Sequence, residues 1–220
     1  MIGLIIAYLL VLVLYFYTET SGKMSLRAPN KVLLATMFYV YAALQFTQHY
    51  ELVSVHLLLM VALFLARMGD VFLLFDLNRG GDFFLCGNVC FFTYEMSQVI
   101  AGGRSFSDFW WILLTEAVLM GTFIFLANRL PNVLKFGKMK WPMMLYLSSI
   151  TLHGAMGVAL LLLFPGTQLA QMGLGSLFFM ISDYILTVDK FVVRNNKWIL
   201  RANSAFYFTG LLLIVLSMTK

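Results

Sequence analysis

The sequence predicts an all-α fold, a polytopic membrane bundle of about eight transmembrane helices, and three observations point to it. Of its 220 residues, 61% are hydrophobic and 11% charged, where an ordinary soluble domain carries about 25% charge. Apolar runs of roughly 17 to 25 residues recur along the chain, the length a bilayer demands of a helix. The joints between these runs are short and polar, and the basic residues gather on alternate joints. One integral membrane unit over residues 1–220 is the simplest organisation of that pattern.

The helices are expected near 2–17, 30–47, 52–75, 82–102, 108–127, 142–164, 167–188 and 198–218. The first, MIGLIIAYLLVLVLYFY, has neither a basic leading region nor a small-residue cleavage site, so it reads as a retained span and not a signal peptide. Ser21-Gly22 closes it, and the second helix opens at Lys31 after a basic stretch. Asn78-Arg79-Gly80-Gly81 is read as the joint after the third, and Gly102-Gly103 as the joint after the fourth. Trp110-Trp111 at the start of the fifth fits an interfacial aromatic belt. The sixth begins at Pro142, where a missing N–H costs little, and ends at Pro165-Gly166. Gly173 and Gly175 in the seventh permit a close approach of a neighbouring helix.

With eight spans, Lys23, Arg27, Lys31, Arg79, Arg129, Lys135, Lys138, Lys140, Lys190, Arg194, Lys197 and Arg201 fall on one side. The other side has Arg104 and Lys220, and Arg67 lies within a span. The positive-inside rule makes the crowded side cytoplasmic and places both termini on the exterior or lumenal side. The net charge of +5 therefore reads as an orienting signal and not as a nucleic-acid patch. Cys86 and Cys90 share a helical face, which suits packing better than a disulfide, and they are too few to bind a metal. Neither a metal nor a cofactor is expected.

Polar residues inside the spans carry the functional information, because a charge at the bilayer centre costs about 2.5 to 3.5 kcal/mol on insertion scales. Asp70 and Asp183 each stand about five residues before the cytoplasmic end of a span, so both lie roughly 7 to 8 Å below the same surface. Asn88 is at a similar depth, and Lys31 stands at the mouth of the second span. These four are expected to line one cytoplasm-facing pocket, with the amphipathic Tyr184 and its neighbour Ser182 at its edge. Arg67, three residues before Asp70 on the same helical face, is expected to hold that carboxylate ionised. Glu95 and Glu116 lie nearer mid-membrane, where interhelical pairing with His153 or Arg67 and catalysis are both open. His153 alone reads as a core residue, with no partners at metal-ligand spacing.

The same residues carry a family resemblance. The segment FLARMGDVFLLF, with Gly69-Asp70, and the segment GLGSLFFMISDYILTVDKF, with Ser182-Asp183 and Lys190-Phe191, resemble the YhhN or lysoplasmalogenase family of integral membrane proteins, as does Lys31 at the opening of the second span. The chain departs from the family's pattern at Val32, at Glu95 and Gln98, and at Gly210. The resemblance implies hydrolysis of the vinyl ether bond of a lysoplasmalogen, releasing a fatty aldehyde and a glycerophospho-base. It implies Asp183 as acid, Asp70 as stabiliser of the cation and activator of water, Lys31 as phosphate ligand and Asn88 as a positioning group, with Ser182 and Tyr184 beside the substrate. The expected partner is a membrane lysophospholipid, with no nucleic acid, and a bacterial inner membrane or a eukaryotic endomembrane suits it equally. A catalytically inactive accessory subunit of a membrane assembly is the alternative. A small-solute transporter fits less well, since no span is broken mid-membrane. An intramembrane aspartyl protease fits least, with Arg67 and Ser182 where its motifs differ.

Overall fold

The computed structural model describes residues 2–19, 23–49, 54–130, 133–134, 136–193 and 196–218. Its eight α-helices are α1 (Ile2–Glu19), α2 (Met24–His49), α3 (Ser54–Phe72), α4 (Leu77–Ala101), α5 (Trp111–Arg129), α6 (Lys140–Leu163), α7 (Gln168–Val188) and α8 (Lys197–Leu216). No strand occurs among the described residues. The expected turn at Ser21-Gly22, and Lys135, Arg194 and Lys220, lie outside the described residues.

Local chemistry explains several helix ends. Thr167 caps α7 by accepting from the Ala170 amide at 3.3 Å, and Asn196 caps α8 by accepting from Trp198 at 2.9 Å and Ile199 at 3.3 Å, each satisfying amides that a helix start leaves without partners. Gly103 and Gly166 turn the chain with φ of 77° and 74°, a conformation that costs glycine little.

Two boundaries differ from the sequence reading. Asn78-Arg79-Gly80-Gly81 is not a joint but the first turns of α4. The helix starts earlier because Asp76 adopts an extended conformation and its Oδ1 accepts from the Asn78 and Arg79 amides at 2.9 and 3.3 Å. Gly80 is buried there: a Cβ would meet Leu73 Cγ at 2.7 Å, so this glycine serves packing and not a turn. The second helix likewise begins before Lys31, with Pro29 inside α2. So near the helix start, only the Ser25 carbonyl loses its intrahelical bond to the missing N–H.

The helices contact one another in a ring, α1–α2–α3–α4–α6–α7–α8, closed by contacts of α8 with α1 and α2, while α5 packs on the outer side of α6. Close glycine contacts fix the tightest part of this ring. Gly157 of α6 and Gly173 of α7 lie against each other's carbonyls, and a Cβ on Gly175 or on Gly210 of α8 would stand 2.7 Å from the other's carbonyl oxygen.

Large apolar side chains cover the outside, among them Leu10, Val13, Leu145, Leu162 and Phe125. That is the surface a lipid solvent requires and water penalises. Among the described residues, four helices, α3, α5, α6 and α8, are long and apolar enough to cross a membrane.

Candidate functional site

The bundle opens at the end where α1, α3 and α7 finish and α2, α4 and α8 begin. A cavity of about 310 Å³ lies there, with Asp70, Asp183 and Lys31 in its wall together with Glu19, Arg27, Lys190 and Tyr207. Three of the four residues expected to share a pocket therefore do so. Asp70 and Asp183 are 1% and 3% exposed and line the same cavity.

The two aspartates have different partners. Asp70 Oδ1 is 3.1 Å from the Lys31 ammonium, and Tyr207 donates its phenol to Asp70 Oδ2 at 2.6 Å. Asp183 Oδ2 accepts the phenol of Tyr146 at 2.5 Å, and Asp183 Oδ1 accepts the Ser182 hydroxyl at 3.5 Å. A cation supports one carboxylate, whereas neutral hydroxyls support the other. The two carboxyl groups therefore differ in what stands beside them, an ammonium at Asp70 and hydroxyls at Asp183.

Several sequence expectations require correction. Arg67 does not hold Asp70: its Nε donates to Thr36 Oγ1 at 3.4 Å. An i,i+3 spacing makes contact possible without deciding it, and Lys31 supplies the cation from α2 instead. Asn88 is buried but does not border the cavity. Its amide donates to Ser149 Oγ at 3.4 Å, and Ser149 donates to the Tyr146 carbonyl at 2.7 Å, so it steadies the helix turn that carries Tyr146. Tyr184 is also outside the cavity wall; its phenol lies 2.5 Å from Thr151 Oγ1 and its ring stacks on Phe123. Ser182 reaches the site only through Asp183, and its hydroxyl also donates to the Phe179 carbonyl at 2.8 Å.

Glu95 and Glu116, expected nearer mid-membrane, each contact a neighbouring helix. Glu95 accepts the hydroxyl of Ser176 and lies 3.4 Å from His153 Nε2. Glu116 accepts the hydroxyl of Ser148. Among the described residues, no group of three or more His, Cys, Asp or Glu is placed to hold a metal ion, and Cys86 and Cys90 are free thiols.

Tyr207, Tyr146 and Glu19 are the site residues that sequence reasoning missed. The signal that could have found the tyrosines was depth, since both sit on the same side of the bundle as the aspartates. Glu19 sits at the end of an apolar run, where a charge is ordinary.

A second cavity of about 400 Å³ adjoins the first. Leu73, Leu77, Phe84, Leu186 and Lys190 belong to both walls, and Tyr146, the donor to Asp183, lines the second one. The added lining is largely apolar, with Leu85, Met139, Pro142, Met143 and Phe191, and Lys138 and Lys190 supply ammonium groups to it. The pair of cavities thus places buried carboxylates beside a space suited to a hydrocarbon chain.

The sequence model of the YhhN family matches residues 6–218, and the chain belongs to that family. No curated protein and no solved structure matches the chain.

Proposed function

We propose that this YhhN-family chain is a multi-pass membrane hydrolase that cleaves the vinyl ether bond of lysoplasmalogens at Asp70 and Asp183. One observation carries the reading: two buried aspartates in different hydrogen-bonding environments share a polar cavity that adjoins an apolar one. A lysoplasmalogen has the matching form, with a hydrocarbon chain on one side of the reacting bond and a phosphorylated glycerol on the other.

The chemistry divides between the two carboxyl groups. Asp183, in its acid form, delivers a proton to the β-carbon of the enol ether, and the C=C electron pair forms the new C–H bond. The resulting oxocarbenium ion is stabilised by the Asp70 carboxylate, as in glycoside cleavage. Water adds to the cationic carbon and gives up a proton to a carboxylate as it does so. The hemiacetal then collapses: its hydroxyl gives its proton to one carboxylate as the C=O forms, and the C–O bond to glycerol breaks as the protonated carboxyl returns its proton to the glycerol oxygen, to give a fatty aldehyde and a glycerophospho-base. One water is consumed, and both aspartates return to their starting states.

Lys31 has three N–H donors, so its bond to Asp70 leaves others for the substrate phosphate. Tyr146 and Tyr207 orient the two carboxyl groups. In this reading all eight helices span the bilayer, and the end carrying the basic residues faces the cytoplasm.

The test is direct. Purified protein given a vinyl-ether lysophospholipid releases aldehyde, and the Asp183→Asn protein, with an unchanged melting profile, does not. A well-folded wild type that releases none would refute catalysis and leave the aspartates as interhelical links of an accessory subunit.

A further inference from the structure

The polar cavity contains a second pair of charges for which the hydrolysis has no use. Glu19 is 5% exposed. Its Oε1 accepts hydroxyls from Ser204 at 2.5 Å and Tyr15 at 3.1 Å, whereas its Oε2 is buried and without a hydrogen-bond partner among the described residues. Arg27, half-buried in the same wall, likewise keeps a buried Nε–H without a partner among them. The two residues line the same cavity.

A buried acceptor without a donor is costly, and a ligand that brings an N–H to it recovers that cost. A guanidinium with an unused N–H suits a phosphate oxygen. Among the described residues, one wall therefore presents a carboxylate oxygen and one guanidinium N–H that are both without a partner, the complement of a zwitterion in which a phosphate is joined to an ammonium. The order along α2 fits as well. Arg27 stands one turn nearer the start of the helix than Lys31, and Lys31 touches Asp70. A lipid with its ether bond at Asp70 would bring its phosphate between Lys31 and Arg27, which share this wall.

We propose that Glu19 and Arg27 form the head-group subsite of this cavity, Arg27 taking the phosphate and Glu19 the primary ammonium of a phosphoethanolamine lysolipid. This rests on the lysolipid reading given above. A trimethylammonium has no N–H to offer Oε2, and a phosphoglycerol head brings no positive charge to meet the carboxylate. Ser204 and Tyr15 are positioning residues that hold Oε1 and so direct Oε2.

Binding of saturated ether-linked lysophospholipids tests this, because they lack the vinyl bond and cannot turn over. Wild-type protein in detergent is titrated with ethanolamine, choline and glycerol head groups, with binding followed by native mass spectrometry. The ethanolamine lipid is expected to bind about tenfold more tightly than the other two. Glu19→Gln removes that preference, Glu19→Asp retains part of it, and Arg27→Gln weakens all three lipids together. Equal binding of the three head groups by wild type would overturn the proposal even if no variant folds, and so would a preference unchanged in Glu19→Gln. The ranking does not depend on chemistry: a wild type that shows it yet releases no aldehyde from a vinyl-ether substrate would overturn only the catalytic reading.

Discussion

Ser176 and Asp183 lie seven residues apart on α7, two turns of one helical face or about 10 Å, yet they belong to regions of opposite character. At Ser176, the Glu95 carboxylate takes the serine hydroxyl and lies beside His153, and all three residues are 0% exposed. Phe91 stacks on the His153 ring with centroids 4.8 Å apart, and Phe179 packs against it. None of the three borders either cavity. At Asp183, a carboxylate that is also buried lines a cavity with charged and polar walls, beside a second, largely apolar one. Burial of a charge therefore does not by itself mark a reactive site. Access for a substrate distinguishes the two, and the aromatic seal over Glu95 denies it.

The largest expected effect would sharpen this contrast. Asp183→Asn should lower aldehyde release by about 10²–10⁴-fold, the usual contribution of a general acid, while Glu95→Gln leaves the rate of the folded protein unchanged. Comparable losses in both variants would break the distinction between the regions. A smaller effect is expected where the regions share a scaffold. Gly210→Ala places a methyl 2.7 Å from the Gly175 carbonyl oxygen and 2.9 Å from the Phe179 amide nitrogen, forcing α7 and α8 apart. Such overpacking costs about 1–3 kcal/mol. It should lower the melting temperature and reduce turnover together, because Tyr207 is carried by the displaced helix. Unchanged melting would show that the glycine contact does not set the spacing.

Glu95→Ala tests the sealed cluster as a structural element. Loss of the carboxylate leaves Ser176 and His153 buried without it, at a cost of about 1–3 kcal/mol. Thermal unfolding in detergent should register that loss, with kcat per folded molecule retained. The smallest effect is expected from Tyr207→Phe, which removes one hydrogen bond to Asp70 and leaves Lys31 in place. A loss of about 1 kcal/mol corresponds to roughly a fivefold fall in kcat, with melting unchanged. A fall as large as that of Asp183→Asn would assign the Tyr207 proton a direct part in the reaction.

Much of the fold was legible in the sequence because hydropathy and caps are local properties. All eight helices overlap the apolar runs, with α2 and α4 starting earlier than those runs, and the joints at Gly102-Gly103 and Pro165-Gly166 hold. The start of α4 was misread because Gly80-Gly81 has the composition of a turn, while the single Asp76 cap and the packing of Leu73 decided otherwise. In the site, depth was legible and contact was not. Lys31, Asp70 and Asp183 converge as their depths suggested, whereas Arg67 turns to Thr36, and Asn88 at the same depth turns away to Ser149. Tyrosine composition could not separate Tyr146 and Tyr207 from an interfacial belt, since an amphipathic ring suits both places.

The sequence by itself determined a helical bundle built for an apolar solvent, the order of its helices and the height of each polar group along them. Height follows from residue count, because a helix rises about 1.5 Å per residue. The direction in which each group points across the bundle, and the neighbour it meets, were decided only in the tertiary structure. They depend on how the helices rotate and approach one another, which contacts such as Gly157 with Gly173 and Gly175 with Gly210 fix in three dimensions. That packing gives Lys31 to Asp70, Tyr146 to Asp183 and Ser176 to Glu95, leaving the first two pairs beside open cavities and closing the third.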